Sequence, residues 1–234
     1  MKVLADIEEN EKIKSDSSID DLLDGGFQKG MLTQIYGPPS SGKSNIALSV
    51  AVNVAKTGKK VVYIDTEGGI SIERIKQIAG PFFSTAANNI IVFEPMDFQQ
   101  QSETVKSLDV WLRKNGDDVD LIILDSAVAL YRVDEMKSYL LSKELRIQIQ
   151  LLSRLARKYD LACILTNQVF NAFDDEGNNE IKAVGGDIIE YISKVIISLE
   201  RGDEINQRTA TLIRHPSISE GRQTTFSITS SGIS

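Results

Sequence analysis

Eight consecutive residues constrain this chain more than any others: Gly37-Pro38-Pro39-Ser40-Ser41-Gly42-Lys43-Ser44. They fit G-x-x-x-x-G-K-[ST], and a strand pattern precedes them while a helix pattern follows. Met31 to Tyr36 reads as the strand. Ser44 to Lys56 reads as the helix, with Ile46, Ala47, Val50, Ala51 and Val54 on its inner side. The chemistry needs this arrangement. Glycines let backbone N–H groups converge on phosphate oxygens. The helix beginning near Gly42 turns its positive end to the same anion. Lys43 reaches the β- and γ-phosphates, and Ser44 supplies a hydroxyl to Mg2+. ATP and Mg2+ are therefore the expected ligands, with Asn45 counted among the nucleotide contacts.

Beyond the loop, strands and helices alternate. Val61 to Asp65 reads as a strand, and Ile70 to Ala79 as a helix that Pro81 punctuates. Ile90 to Phe93 is a strand, and Phe98 to Asn115 a helix carrying Val105, Leu108, Leu112 and Trp111. Trp111 keeps the helical spacing and is read as core. Leu121 to Asp125 is a strand, Leu141 to Tyr159 a helix, and Leu161 to Thr166 another strand. The alternation predicts an α/β fold: a mostly parallel central sheet flanked by helices. After residue 166 the pattern changes. Asn171 to Gly186 reads as a long polar loop. Ile192 to Leu199, Thr209 to Arg214 and Thr224 to Thr229 then read as strands without helices between them, a C-terminal antiparallel extension. Residues 1–16 read as a short arm or edge strand, and 17–234 as one core. That core opens on a helix capped by Ser17-Ser18 and stopped by Gly25-Gly26.

Composition narrows the functions open to it. Lys and Arg number 26 against 33 Asp and Glu, a formal charge of −7, so there is no overall basic footprint for nucleic acid. A local patch remains open, because net charge does not report distribution. The single cysteine, Cys163, excludes an internal disulfide framework and reads as a small buried hydrophobe. One His and one Cys exclude a metal site built from those residue types. No G-x-S-x-G elbow accompanies His215, which argues against a serine hydrolase. Asp6, Glu8 and Glu9 are wrong for a signal segment, and no apolar run approaches a membrane span. The expected compartment is the cytoplasm, with no membrane partner.

Two further strand ends carry acids. Leu121-Ile122-Ile123-Leu124-Asp125 is an apolar run ending in one carboxylate, and after a phosphate loop Asp125 is the residue to orient Mg2+. In Tyr63-Ile64-Asp65-Thr66-Glu67-Gly68-Gly69 a strand ends in two acids and two glycines. Open α/β sheets place ligands at the carboxyl ends of strands, so Glu67 could face a γ-phosphate and act as base for water.

Taken together, several segments resemble the RecA-like recombinase core in its archaeal and eukaryotic form. Ser18 to Gly26 is similar to that family's opening helix, and Tyr63 to Gly68 to its second strand. Asp125 to Arg132 looks like its Walker B strand and the start of its first DNA loop. Leu165 to Val169 resembles its sensor strand, and Gly185-Gly186-Asp187 the end of its second DNA loop. The resemblance spans about residues 17–232 and implies a RecA-like P-loop NTPase core. It implies that Glu67 activates water, that Gln168 senses the γ-phosphate, that Arg74 stacks near adenine, and that residues 133–140 and 170–186 face DNA.

Departures from the family pattern matter as much. There is no room for the family's N-terminal helical DNA-binding domain. The first phenylalanine, Phe27, already lies in the core, so the phenylalanine-centred polymerisation motif is absent and no long filament is expected. The second loop is acidic, with Asp174, Asp175, Glu176 and Glu180 against Lys182, which disfavours phosphate contact. The acidic segment that caps a neighbour's nucleotide is replaced by Ile213 to Arg222. These features look like a core-only archaeal paralogue that assists the main recombinase. The candidate DNA contacts are Tyr131, Arg132 and Lys137 near the first loop, and Arg214, His215 and Arg222, with Arg201 and Arg208 nearby; Arg154, Arg157 and Lys158 read as a solvated helix face. The expected partners are DNA, single-stranded first, the main recombinase and other repair proteins. Two alternatives stand beside a slow ATPase acting in homologous recombination and repair. One is a nucleotide-gated adaptor that loads the recombinase with little DNA binding or hydrolysis of its own. The other is a signalling ATPase similar to the KaiC group, against which Thr166-Asn167-Gln168-Val169 and the single Glu67 argue.

Overall fold

The computed structural model describes residues 11–115, 118–133, 138–173, 179–183 and 187–234; at 133, 138, 170–173, 179–183 and 187 it describes the backbone alone. In chain order the elements are β1 (Lys12–Ile13), α1 (Ser18–Leu22), β2 (Phe27–Gln28), β3 (Leu32–Gly37), α2 (Lys43–Ala55) and β4 (Lys60–Asp65). Next come α3 (Ile72–Ala79), a 3-10 turn at Gly80–Phe82, α4 (Phe83–Asn89), β5 (Ile90–Phe93), α5 (Phe98–Asn115) and β6 (Val119–Asp125). Then follow α6 (Ala129–Val133), α7 (Ser138–Tyr159), β7 (Ala162–Phe173), β8 (Asn179–Ala183) and α8 (Asp187–Ile192). The chain ends with β9 (Val195–Arg201), β10 (Gln207–Arg214), β11 (Gln223–Thr229) and β12 (Gly232–Ile233).

The main sheet runs β12-β11-β10-β9-β3-β7-β6-β4-β5, with β8 pairing β7 off this path. Its centre is parallel: β3 lies between β7 and β9, and β4 between β5 and β6. Strand alternation divides the core in two. Val61, Tyr63, Leu121, Ile123 and Ile164 face a cluster under α2. Val62, Ile64, Ile122, Leu124, Cys163 and Leu165 face a cluster under α5 and α7. A strand buried on both faces must be apolar at every position, and this is why β6 and the start of β7 read as unbroken apolar runs. Cys163 is buried, and burial pushes its thiol up to about 12, so it stays an inert core thiol. Trp111 packs edge-on against Phe93 with ring centroids 6.3 Å apart, at the border of the second cluster.

The expected strands and helices of the first 166 residues appear within a few residues of their expected limits, and the fold is the α/β arrangement the alternation predicts. Ser17 caps α1, its hydroxyl accepting from the N–H of Ile19. Three features differ from expectation, and the edge strand expected within residues 1–16 is present. The segment read as a long loop from Asn171 to Gly186 contains the end of β7 and β8, which pair antiparallel from Val169↔Ala183 to Phe173↔Asn179. Ile192 ends a helix, α8, and is not the start of a strand. The first of the three late strands, β9, joins β3 in parallel, so the antiparallel extension begins only at β10. Two-residue strands also escape a periodicity argument. Within the expected arm, Lys12–Ile13 pairs with Phe27–Gln28, and Ile13 enters the core. Among the described residues no helix is long and apolar enough to cross a membrane.

Candidate functional site

Four parallel strands end at one edge of the sheet, and their registers align the residues singled out above. Gly37 of β3 lies beside Gln168 of β7, and Asp65 of β4 beside Asp125 of β6. Lys43, Ser44, Asn45, Glu67, Asp125 and Gln168 line a single cleft with Pro39, Ser40 and Gly42 of the glycine loop, a volume of about 200 Å3. Of the other loop residues, Gly37 and Ser41 are buried and Pro38 is half-buried.

The loop is held by its residue types. A Cβ at Gly37 would sit 2.5 Å from the Leu199 carbonyl oxygen and 2.7 Å from Ser41 Oγ, so only glycine fits. Gly42 has φ +100 and caps α2 without a side chain, leaving the first helical N–H groups pointed into the cleft. Ser40 takes φ 63, a conformation costly for a residue with a Cβ. Two arginines brace this strained segment from outside. Arg201 Nη2 donates to the Pro39 carbonyl at 3.1 Å and Arg208 Nε to the Ser40 carbonyl at 3.1 Å. Lys43 Nζ donates to the Gly37 and Pro38 carbonyls at 2.8 and 2.9 Å. Burial lowers the Lys43 pKa, an effect opposed by the charges of Glu67 and Asp125.

Asp125 is buried, and the burial raises its pKa against hydrogen bonds from Thr166, Tyr63 and Ser44. Thr166 Oγ1 donates to Oδ1 at 2.5 Å and the Tyr63 hydroxyl to Oδ2 at 2.7 Å. The Tyr63 phenol is in turn pushed well above its usual value by burial and by Asp125. Asp65 does different work. Its carboxylate accepts from the N–H groups of Glu67, Gly69 and Ile70 at 3.1, 3.2 and 2.9 Å, folding the turn that carries Glu67. Glu67 Oε1 then accepts from Ser126 Oγ at 2.8 Å and from Gln168 Nε2 at 2.9 Å. Gln168 Oε1 accepts from Arg132 Nη1 at 2.5 Å. A continuous chain of hydrogen bonds thus runs from Glu67 through Gln168 to the helix after β6.

The other expected residues are placed as follows. Arg74 lies on α3; its Nε donates to Asn45 Oδ1 at 3.0 Å, and its Nη atoms donate to the carbonyls of Thr229, Ser230 and Gly232. Its guanidinium plane is fixed between α2 and the β11–β12 turn. Tyr131 packs edge-on against Phe98 at 5.8 Å and its hydroxyl pairs with Ser142 Oγ at 3.1 Å. Lys137 lies outside the described residues, as do Asp174, Asp175 and Glu176; the side chains of Glu180 and Lys182 are also outside them. The late arginines each have an acceptor within the chain. Arg214 pairs with Glu190 at 3.2 Å, Arg222 with Asp24 at 2.5 Å, and Arg201 and Arg208 serve the glycine loop. His215 Nδ1 accepts from the N–H groups of Ser217 and Ile218 at 3.2 and 3.1 Å, and burial and Lys12 lower its pKa, so it is a neutral turn-former. Sequence patterning gave Ser126 and Asp65 no role of their own and set Arg201 and Arg208 beside the DNA candidates, because their roles at the glycine loop arise only where distant segments meet.

The Rad51 family model matches residues 12–234. The chain is 62% identical over the full length of both sequences to a protein of Methanobrevibacter smithii named "DNA repair and recombination protein RadB". The chain belongs to the Rad51 family, in its RadB group. A protein of the same name from Methanothermobacter thermautotrophicus is 45% identical, again over both full chains. Among solved structures, one described as the crystal structure of the RadB recombinase is similar to it at a TM-score of 0.78 and 34% identity, covering 94% of this chain and 98% of that one. The RadB proteins thus bear out the archaeal recombinase-family resemblance of the motifs, and the RecA-like fold with it.

Proposed function

We propose that this chain is a cytoplasmic, slow RecA-like ATPase that binds ATP and Mg2+ and assists homologous recombination and DNA repair as a recombinase paralogue. One observation carries the reading: Lys43, Ser44, Glu67, Asp125 and Gln168, from four strand ends, line a single cleft at the glycine loop. The donor set fits a nucleoside triphosphate. The Gly37 position leaves no room for a Cβ, the start of α2 is uncapped, and Lys43 supplies the cation. The same set fits Mg2+, since Ser44 and Asp125 are hydrogen-bonded neighbours and would hold it. When bound, that metal neutralises charge on the phosphates.

In this reading Glu67 is the base that takes a proton from the attacking water. Its Oε1 already accepts two hydrogen bonds, so Oε2 is the oxygen left to face water. Lys43 orients the phosphates, and Arg74 presents a fixed guanidinium face for adenine. Gln168 shares its amide between Glu67 and Arg132, so a change at the cleft is passed to α6. Phosphate release by the wild type, abolished in Lys43→Ala together with nucleotide binding, tests the assignment; unchanged ATP affinity in that variant would sink it.

A second reading, a nucleotide-gated adaptor with little DNA binding of its own, draws support from a specific observation. Arg132, Arg214 and Arg222 are all engaged by acceptors within the chain, and Tyr131 is packed. DNA-independent turnover together with ATP-dependent capture of the main recombinase would favour it.

A further inference from the structure

Another concavity of the described surface lies at the opposite end of the sheet from the nucleotide cleft. Strands β3, β7 and β9 run parallel, and Gly37 and Gln168 mark the cleft end. Lys194 lies at the other end. It directly precedes Val195, the partner of Thr33, and its N–H donates to the Leu32 carbonyl at 3.1 Å. The end of α7, at Tyr159, leads back to the start of β7 at Ala162. The last turns of α7 therefore meet the end of α8 where the strands begin.

Between them lies a groove of about 630 Å3, lined by Ser153, Arg154, Arg157, Lys158, Tyr191 and Lys194 among others, and by no acid. Lys158 is paired with Asp109 at 2.6 Å, and Glu190, beside Tyr191, is taken by Arg214. Among the described residues Arg154, Arg157 and Lys194 have no acidic partner. Three cations facing one groove, without an acidic partner among the described residues, run against the overall charge of −7 and mark a site for an anion. Tyr191 adds a second, independent sign. It is 83% exposed on the groove wall, a large ring left in water beside cations. Cations that track phosphates beside an exposed aromatic ring that stacks a base are the two parts of a single-strand binding surface. An acidic peptide would use the cations and leave the ring without a role.

We propose that the α7–α8 groove is a binding track for single-stranded nucleic acid, separate from the nucleotide cleft and from the loops after β6 and β7, and open with or without ATP. This goes beyond the ATPase reading and does not depend on it.

Anisotropy of a labelled oligothymidylate, titrated with protein across a salt series, tests the proposal. Reversing all three cations (Arg154→Glu, Arg157→Glu and Lys194→Glu) is expected to weaken binding at least ~10-fold and to flatten the log–log salt slope by about 2, at ~0.7 for each phosphate no longer neutralised. Tyr191→Ala is expected to weaken binding about 10-fold and to leave the slope unchanged. Both variants should bind a fluorescent ATP analogue as the wild type does, which certifies the fold. Lys43→Ala should lose the analogue and keep the DNA, so failure at one site is distinguishable from failure at the other. If the triple variant does not fold, Lys194→Gln and Tyr191→Ala carry the test. The proposal is overturned if the wild type does not bind oligothymidylate, or if the groove variants keep wild-type affinity and slope. It is also overturned if polyglutamate displaces the DNA while Tyr191→Ala is silent, an outcome that assigns the groove to an acidic protein segment.

Discussion

At the scale of single residues, the cleft depends on side chains that position others. Glu67 is held by Asp65 through the backbone and by Ser126 and Gln168 through its carboxylate. Glu67→Gln should therefore keep nucleotide binding and lower phosphate release by about 10²–10⁴-fold, the range general-base removal produces. Single-turnover phosphate assays beside a nucleotide titration check both halves. The loop-bracing arginines give a less usual expectation. Arg201 and Arg208 are direct cross-strand partners in β9 and β10, a like-charge pair that costs the sheet stability. Both nevertheless hold the strained Pro39-Ser40 segment. Replacing both by Ala should weaken ATP binding roughly 10-fold, by loosening a preorganised loop. It should also leave the melting temperature unchanged or slightly higher. A fall in melting temperature with unaltered affinity would make the pair structural.

At the scale of elements, α5 and α7 cover one face of the sheet and are joined at their edges by Asp109. That carboxylate accepts from Lys158, Arg113 and Tyr159, and the Lys158 hydrogen bond first, then the other two, hold its pKa at about 2. A depressed folded-state pKa contributes stability that is present above the unfolded value of about 4 and is lost as pH falls towards about 2. The melting-temperature difference between wild type and Asp109→Asn should therefore shrink as pH drops through that window, and hold steady above it. The inner face of α7 is worth more. Leu152 is fully buried in the second cluster, and Leu152→Ala should cost about 2–5 kcal/mol in urea unfolding. Elements of this length were readable from spacing alone. The two-residue strands β1, β2 and β12 were not, because two residues carry no period. The α8 helix escaped notice for a related reason: its apolar residues follow a polar, glycine-bearing stretch and run into a strand.

At the scale of the whole molecule, one sheet carries both apolar clusters, so a ligand at the strand ends should stabilise everything packed on those strands. ATP with Mg2+ at about 100 times its dissociation constant should add ~2.7 kcal/mol to the unfolding free energy, and Lys43→Ala should abolish the shift in a thermal melt. The sequence by itself determined the α/β class, the glycine loop and the strand ends bearing Asp125 and Glu67, while Gln168 was singled out only by the family resemblance. Those features rest on local periodicity and on contiguous motifs, which a chain cannot hide. Only the tertiary structure decided which cations are spent within the chain and which have no acidic partner among the described residues. Arg214, Arg222 and Arg132 look available in the sequence, and each meets an acceptor from a distant segment. Arg154 and Arg157 look like an ordinary solvated face until α8 brings Tyr191 and Lys194 across from them. Charge pairing acts over a few ångströms of space, whatever the separation along the chain, so its outcome belongs to the packed molecule.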